Sequence, residues 1–401
     1  MPAQPRSSRS ALAVLFTIVF IDLLGFGMVI PVMALYAEHL GASKAQTGWL
    51  MTGYSAMQFV FTPLWGRLSD RFGRRPLLLI SIFMTSAAFV MYALAPSFGW
   101  LLASRLFAGF ATANIAIAQA YIADVTPPEG RAKGMGLIGA AFGLGFVLGP
   151  ALGGYLSSFD PAYPGFAAAG LALVNGLAAT LVLREPTQRT VAPKRAGMRA
   201  MLEELSRPGI RRLIAIFFLA IMAFSAMEAT FSLLAAHRYG LAERQVSYVF
   251  VFIGVVITVV QGGLIGPLTR RFGEQRLLVA GLLLQVAGLA ALPWAGGVPG
   301  LLAACLPLAA GSGLTNPAMS ALLSRSARAE DQGGTLGIGQ SASALGRIAG
   351  PISATNAYDH LWFAAPYMGG AALVLVTAAI AATLRRPAPA AEPGGAAREI
   401  S

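Results

Sequence analysis

The sequence predicts an all-α integral membrane protein: twelve transmembrane helices in two pseudo-symmetric six-helix bundles. Three observations predict it. Charge is too scarce for a water-facing surface, apolar stretches of spanning length follow one another, and motifs recur at a fixed offset. Charged residues are 11% of the 401, less than half the soluble share of about 25%, and 56% are hydrophobic. Mean hydropathy is +0.67. A soluble domain needs more charge to cover its surface, so an ordinary globular enzyme and a disordered chain are both excluded. The single cysteine, Cys305, excludes an intramolecular disulfide framework, and no Cys/His cluster suggests a metal site.

Spans one to six are expected at 11–37, 46–65, 77–95, 100–123, 134–157 and 165–183. Spans seven to twelve are expected at 213–236, 246–268, 277–294, 300–323, 335–356 and 364–384. A spanning helix needs about 20 apolar residues, so twelve use roughly 240. The remaining roughly 160 give connections of about 12 residues each, a comfortable loop length. Span one follows a short basic tail but is too long for a cleaved signal peptide, so it reads as a permanent span. The organisation is then a first bundle over 1–183, a cytoplasmic linker over 184–212, a second bundle over 213–384 and a disordered cytoplasmic tail over 385–401.

The formal net charge of +12 raises the question of a nucleic-acid partner. Location decides against it. With the N-terminus cytoplasmic, only Lys44, Arg105, Arg238, Arg244 and Arg347 of the 29 basic residues fall outside cytoplasmic segments. This is the positive-inside bias. It places both termini in the cytoplasm and supports an even number of spans.

The chain also repeats itself. Gly66-Arg67-Leu68-Ser69-Asp70-Arg71-Phe72-Gly73 is echoed by Gly266-Pro267-Leu268-Thr269-Arg270-Arg271-Phe272-Gly273. Gly145, Gly149 and Pro150 recur as Gly346, Gly350 and Pro351. Two halves related in this way fit a transporter that rocks one bundle against the other around a central site. In the loop after span two, Gly66 allows close helix approach and Gly73 a tight turn. Asp70 can accept hydrogen bonds from arginine or sit against a helix N-terminus. In span five, the string Gly145-x-x-x-Gly149-Pro150-x-x-Gly153-Gly154 flattens a helix face, while Pro150 restricts its bend.

On these residues the chain resembles the major facilitator superfamily over about 10–385, within its twelve-helix drug:proton antiporter branch. The 66–76 segment is similar to the family's signature loop. The resemblance implies that Asp70, Arg71 and Arg74, with the turn glycines Gly66 and Gly73, latch the bundles on the cytoplasmic side. Arg270 replaces the aspartate in the second copy, which makes that latch asymmetric. The span-five string resembles the antiporter motif of proton-coupled exporters. Ile21–Pro31, Ala120–Asp124 and Gly139–Gly145 look like bacterial tetracycline efflux proteins and their multidrug relatives. By motif spacing, Gln58 and Arg105 fall where that group has a functional Gln and Arg, and Asp22 matches its first-span Asp. The group's carboxylates in spans three and nine have no counterpart here.

Charges at bilayer depth are costly and are functional candidates by default. Asp22 and Glu228 can serve reversible protonation, or stay neutral and order packing; Glu228 can equally hold a cationic substrate. Arg105 either sits near Asp22 and tunes it or snorkels to the outer interface. Arg347 serves packing, acid pairing or substrate. Asn114, Gln119, Gln261, Asn316 and Gln340 either line a central cavity or cross-link helices. The three histidines have no metal-ligand spacing and are read as surface residues.

The expected function is proton-coupled efflux of small hydrophobic drug-like molecules by alternating access, with tetracycline among the substrates the resemblance brings in. The partners are a small molecule, protons and membrane lipid, with no cofactor, no metal and no nucleic acid, and the chain works as a monomer in a bacterial inner membrane. The alternatives are an exporter of an endogenous sugar or metabolite and, remotely, an intramembrane enzyme. No nucleophile–base constellation or nucleotide-binding loop supports the last of these.

Overall fold

The computed structural model describes residues 6–112, 114–126, 128–185, 207–326 and 332–384. The tail over 385–401 and most of the linker over 184–212 lie outside the described residues. Among the described residues every regular element is helical. The first half contains α1 (Arg6–His39), α2 (Lys44–Phe72), α3 (Arg74–Ala93), α4 (Phe98–Ala111), α5 (Asn114–Val125), α6 (Pro128–Ser157) and α7 (Tyr163–Val182). The second contains α8 (Pro208–Tyr239), α9 (Glu243–Val259), a π turn (Val260–Leu264), α10 (Ile265–Phe272), α11 (Glu274–Ala291), α12 (Gly297–Ser326), α13 (Gln332–His360) and α14 (Ala365–Ala382).

Among the described residues, ten spans are long and apolar enough to cross a membrane. The two more polar ones, α2 and α13, pack against each other across the halves. A helix covered by a partner needs less apolar surface than one facing lipid. The expected span four is interrupted at Thr112, whose ψ of 91° ends α4. The expected span eight carries the π turn around Gly262 and Gly263 between α9 and α10.

The glycines act where the sequence places them. Gly73 (φ +112°) turns the chain between α2 and α3, and Gly273 (φ +78°) does the same between α10 and α11. A side chain there would be strained. At the start of α2, Ser43 and Gln46 form a reciprocal capping box, with N···O distances of 3.2 and 2.8 Å. The span-five string packs α6 on α1: a Cβ on Gly149 would stand 2.8 Å from Gly27 Cα, and one on Gly145 2.7 Å from Leu23 Cβ. Its echo packs α13 on α8. There a Cβ on Gly346 would meet Phe218 O at 2.7 Å, and one on Gly350 would meet Ala226 N at 3.0 Å. The internal repeat is therefore a repeated helix pair. Gly153 and Gly154 serve two interfaces at once, since Gly153 abuts Met28 of α1 and Gly154 abuts Ser247 of α9.

Gly153→Val is expected to lower stability by about 1–3 kcal/mol, because the added methyls overlap Met28 backbone. Gly139→Ala, where an added Cβ meets nothing within 4 Å, is the control. Thermal unfolding in detergent compares them, and equal midpoints would remove the close-packing account.

Candidate functional site at the centre of the bundles

α1 carries Asp22, half-buried, and the break at Thr112 starts α5 with Asn114 facing it. Asn114 Nδ2 donates to Asp22 Oδ1 at 3.1 Å. Asn114 is 1% exposed, and its Oδ1 has no partner. The second half supplies a matching pair. Glu228 on α8 and Arg347 on α13 are half-buried and lie within electrostatic reach of each other. Tyr54 on α2 has Asp22, Arg105 and Arg347 as electrostatic neighbours, with the Thr112 hydroxyl beside its own.

Arg105 departs from one of its expectations: it is only 3% exposed, which excludes snorkelling. Its guanidinium lies 5.7 Å from the Phe89 ring centroid and 5.1 Å from that of Tyr92. Nε and Nη2 have no hydrogen-bond partner.

The expected polar lining divides. Gln58 lies one turn after Tyr54 on α2, hence on the same face, and is half-buried. Gln340 is two turns before Arg347 on α13 and shares its face. Asn114 serves Asp22. Gln119 lies five residues beyond Asn114, about 140° around the helix, so it points elsewhere. Gln261, on the π turn, and Asn316, on α12, are exposed. Tyr54 and Thr112 escaped the sequence reading; the four-residue spacing from Tyr54 to Gln58 on an unusually polar span was the available signal.

The signature loop is a dense network. Arg74 is held by Asp70 Oδ1 at 2.5 Å, Asp124 Oδ2 at 2.9 Å and Ser69 Oγ at 2.7 Å. Glu185 accepts the backbone N–H groups of Arg74 and Arg75, both at 2.8 Å. Arg75 donates to the carbonyls of Leu183 and Thr180, both at 2.7 Å. Arg71 is exposed, its guanidinium over Phe72. Apart from Glu185, at the start of the linker, these partners of Arg74 and Arg75 belong to the first half. The second half repeats the clasp with its charges exchanged. Glu274 stands 200 residues after Arg74, and Arg325 stands 201 after Asp124. Arg325 Nη1 meets Glu274 Oε1 at 2.5 Å.

Cross-half bonds gather at the other, arginine-poor face. Ser232 Oγ donates to Pro31 O at 2.7 Å, and Thr52 Oγ1 to Ile348 O at 2.9 Å. Ala45 N donates to Asp359 Oδ2 at 3.1 Å, and Thr355 Oγ1 to Ala45 O at 3.2 Å. His237 lies 3.4 Å from Glu38, and His39 lies 3.9 Å from Glu243. Two of the surface histidines thus sit on the seam. Along α6 and α9 the contact runs from Gly154–Ser247 through Gly254–Phe146 to Gly143–Thr258. Farther toward the arginine-rich face, an added Cβ on Gly139 or Gly262 meets nothing within 4 Å. Among the described residues the bonds named between the halves seal one face, and the α6–α9 contact opens toward the other.

The Major Facilitator Superfamily pattern matches residues 15–351 and 259–400. The chain belongs to that superfamily. Among curated relatives, this superfamily transporter is 32% identical over 380 residues to the tetracycline resistance protein, class C, of Escherichia coli, covering 92% of this chain and 96% of the relative. It is 28% identical over 362 residues to multidrug resistance protein 2 of Bacillus subtilis (strain 168), covering 88% and 89%. Among solved structures it resembles the human organic anion transporter MFSD10, with TM-score 0.71 and 26% identity, covering 94% of this chain and all (100%) of that one. A bacterial homologue of the lysosomal transporter Spinster, solved inward-facing and occupied, shares the fold at TM-score 0.77 and 16% identity, with 95% and 97% covered. The chain is therefore a multi-pass membrane transporter of small molecules.

Proposed function

We propose that this transporter is a proton-coupled exporter of small, hydrophobic, drug-like molecules, working as a monomer in a bacterial inner membrane. Tetracycline belongs to the class to be tested, since the relatives named for tetracycline and multidrug resistance align over most of the chain. The arginine-rich face is cytoplasmic by the positive-inside rule, so the sealed face is outward and the conformation is inward-open. The observation that carries the reading is the convergence of two half-buried carboxyl groups, Asp22 and Glu228, one from each half, around Tyr54 and Arg347.

In the inward-open state a drug enters from the cytoplasm between the halves and displaces the proton held at Asp22. Gln58 and Gln340, on the faces of Tyr54 and Arg347, present hydrogen-bonding groups to it. The bundles then rock, the outer seam opens, and the cytoplasmic face closes. There Asp70, Arg71 and Arg74 form the latch, with Gly66 and Gly73 shaping its turn. The clasp of Arg74 by Asp124 keeps that loop ordered while it waits. Proton uptake from outside releases the drug and resets the carrier. Gly145, Gly149, Pro150, Gly153 and Gly154 keep α1 and α6 moving as one body.

The test is a susceptibility panel in a host stripped of its own exporters, with and without a protonophore. Expression should raise resistance to lipophilic drugs, and the protonophore should restore drug accumulation. Unchanged resistance across the panel, or efflux indifferent to the protonophore, would overturn the proposal.

A further inference from the structure

Tyr54 is held at a junction of four helices. Its ring packs on Phe26, with centroids 5.4 Å apart, one turn along α1 from Asp22. Its backbone packs on Gly109, where an added Cβ would stand 3.0 Å from Tyr54 C, one turn along α4 from Arg105. Two residues earlier, on the opposite side of α2, Thr52 bonds the carbonyl of Ile348, the residue after Arg347 on α13. The hydroxyl has the acid of the first half and the cation of the second among its electrostatic neighbours.

The hydrogen-bond directions are informative. Thr112 Oγ1 donates its own proton to Ala108 O at 2.7 Å. Toward Tyr54, Thr112 can then only accept, so the phenol is the donor in any bond between the two. The charged and titratable groups facing Tyr54 are Asp22 from α1, Arg105 from α4 and Arg347 from α13. Glu228 stands behind Arg347 on α8, and Tyr92 behind Arg105 on α3. Asp22 has Asn114 as its hydrogen-bond donor. A neutral carboxyl is well served by one amide donor, whereas a bare carboxylate in an apolar span calls for more.

We propose that Tyr54 is the positioning residue that couples the protonation of Asp22 to the second half of the transporter. While Asp22 keeps its proton, the phenol donates to Thr112. When Asp22 loses its proton to the cytoplasm, the phenol turns its O–H to the new carboxylate. Tyr54 keeps its own proton throughout; only its hydrogen bond changes acceptor. Its oxygen, and the arginine of the second half that faces it, move with that rotation. The ionised state of one bundle is thereby felt at the Arg347–Glu228 pair of the other. The inference rests on the proton-antiport reading, and its test separates the two.

Drug binding to the purified full-length protein in detergent is measured against pH, together with proton release into weakly buffered solution followed by a pH dye. The probe is a fluorescent lipophilic drug that the susceptibility panel has shown to be exported. The wild type should release protons as it binds drug, with tighter binding at higher pH. Tyr54→Phe keeps the ring against Phe26 and removes only the hydroxyl. Its binding midpoint should move to higher pH by about one unit, a tenfold change in proton affinity. Thr112→Val removes the resting acceptor and should move the midpoint the opposite way. A merely structural role for either residue would not produce opposed shifts. If the wild type releases protons but Tyr54→Phe keeps the wild-type profile, or both variants shift in the same direction, the Tyr54 proposal is wrong. If the wild type itself releases no protons, the antiport reading fails and this proposal goes with it.

Discussion

Asp22→Asn is expected to abolish uphill drug accumulation in everted membrane vesicles while leaving folding intact and drug binding at the weaker level that the wild type shows at low pH. The substitution preserves shape and removes the titratable proton. The surroundings accept it well. Asn114 donates to Asp22 Oδ1 at 3.1 Å, yet its own buried Oδ1 lacks a donor. A protonated carboxyl supplies that donor, and so does the side-chain amide introduced by Asp22→Asn, since both offer an N–H or O–H beside a carbonyl oxygen. The variant should therefore resemble the permanently protonated carrier. The size of the effect follows from the driving force. One charge crossing about 100 mV contributes about 2.3 kcal/mol, and one pH unit about 1.4 kcal/mol. Together they sustain a drug gradient of up to roughly 500-fold for one proton exchanged against a neutral drug. In Asp22→Asn that ratio should fall to unity, while downhill drug exchange continues. Glu228→Gln is the companion. It removes the acid facing Arg347 and should slow turnover without ending coupling. The reverse outcome, coupling lost in Glu228→Gln and kept in Asp22→Asn, would transfer the proton site to the second half. Coupling kept in both would end the proposal.

The features legible in the sequence are local strings, and those missed are meetings between distant residues. Gly145, Gly149 and Gly153 can be read as a packing face because a small residue every fourth position has one geometric meaning on a helix. The structure supplies only its partner, α1, together with the matching pair α13 and α8. Gly73 and Gly273 are readable as turns because no other residue type suits that backbone. The clasp of Arg74 by Asp124 is not readable, nor is its charge-exchanged copy, Glu274 with Arg325. The repeat shows itself through identity, whereas here the repeated object is an ion pair whose two residues have traded signs. His39 and His237 escape for a related reason: an isolated histidine near a helix end carries no mark of which helix will face it. Arg105 shows a third limit. Its depth is legible, but its orientation, with the guanidinium over the rings of Phe89 and Tyr92, depends on rotamers and on how α3 and α4 sit.

Cysteines placed at positions 48 and 355 should form a disulfide that stops transport and is reversed by reductant. Gly48 of α2 lies against Thr355 of α13 on the sealed face; an ideal Cβ on Gly48 stands 3.1 Å from Thr355 Cβ. A disulfide takes a Cβ···Cβ separation of about 3.8 Å, so the helices need yield by less than one ångström. Thr355→Cys also removes the hydroxyl that a Cβ at position 48 would otherwise strike. The native thiol, Cys305, is fully buried and does not compete. If transport requires the halves to part at this face in every cycle, the oxidised Gly48→Cys/Thr355→Cys protein must be locked. It should bind drug presented from the arginine-rich side and fail to deliver it, and reductant should restore turnover. The single variants control for crowding at position 48. The bridge closes a loop of about 300 residues, yet its effect on function is mechanical: it removes one of the two states between which the carrier must alternate. Full turnover in the oxidised, cross-linked protein would show that the seam from Ala45 to Asp359 is not a moving gate, and alternating access by rocking at this face would have to be given up.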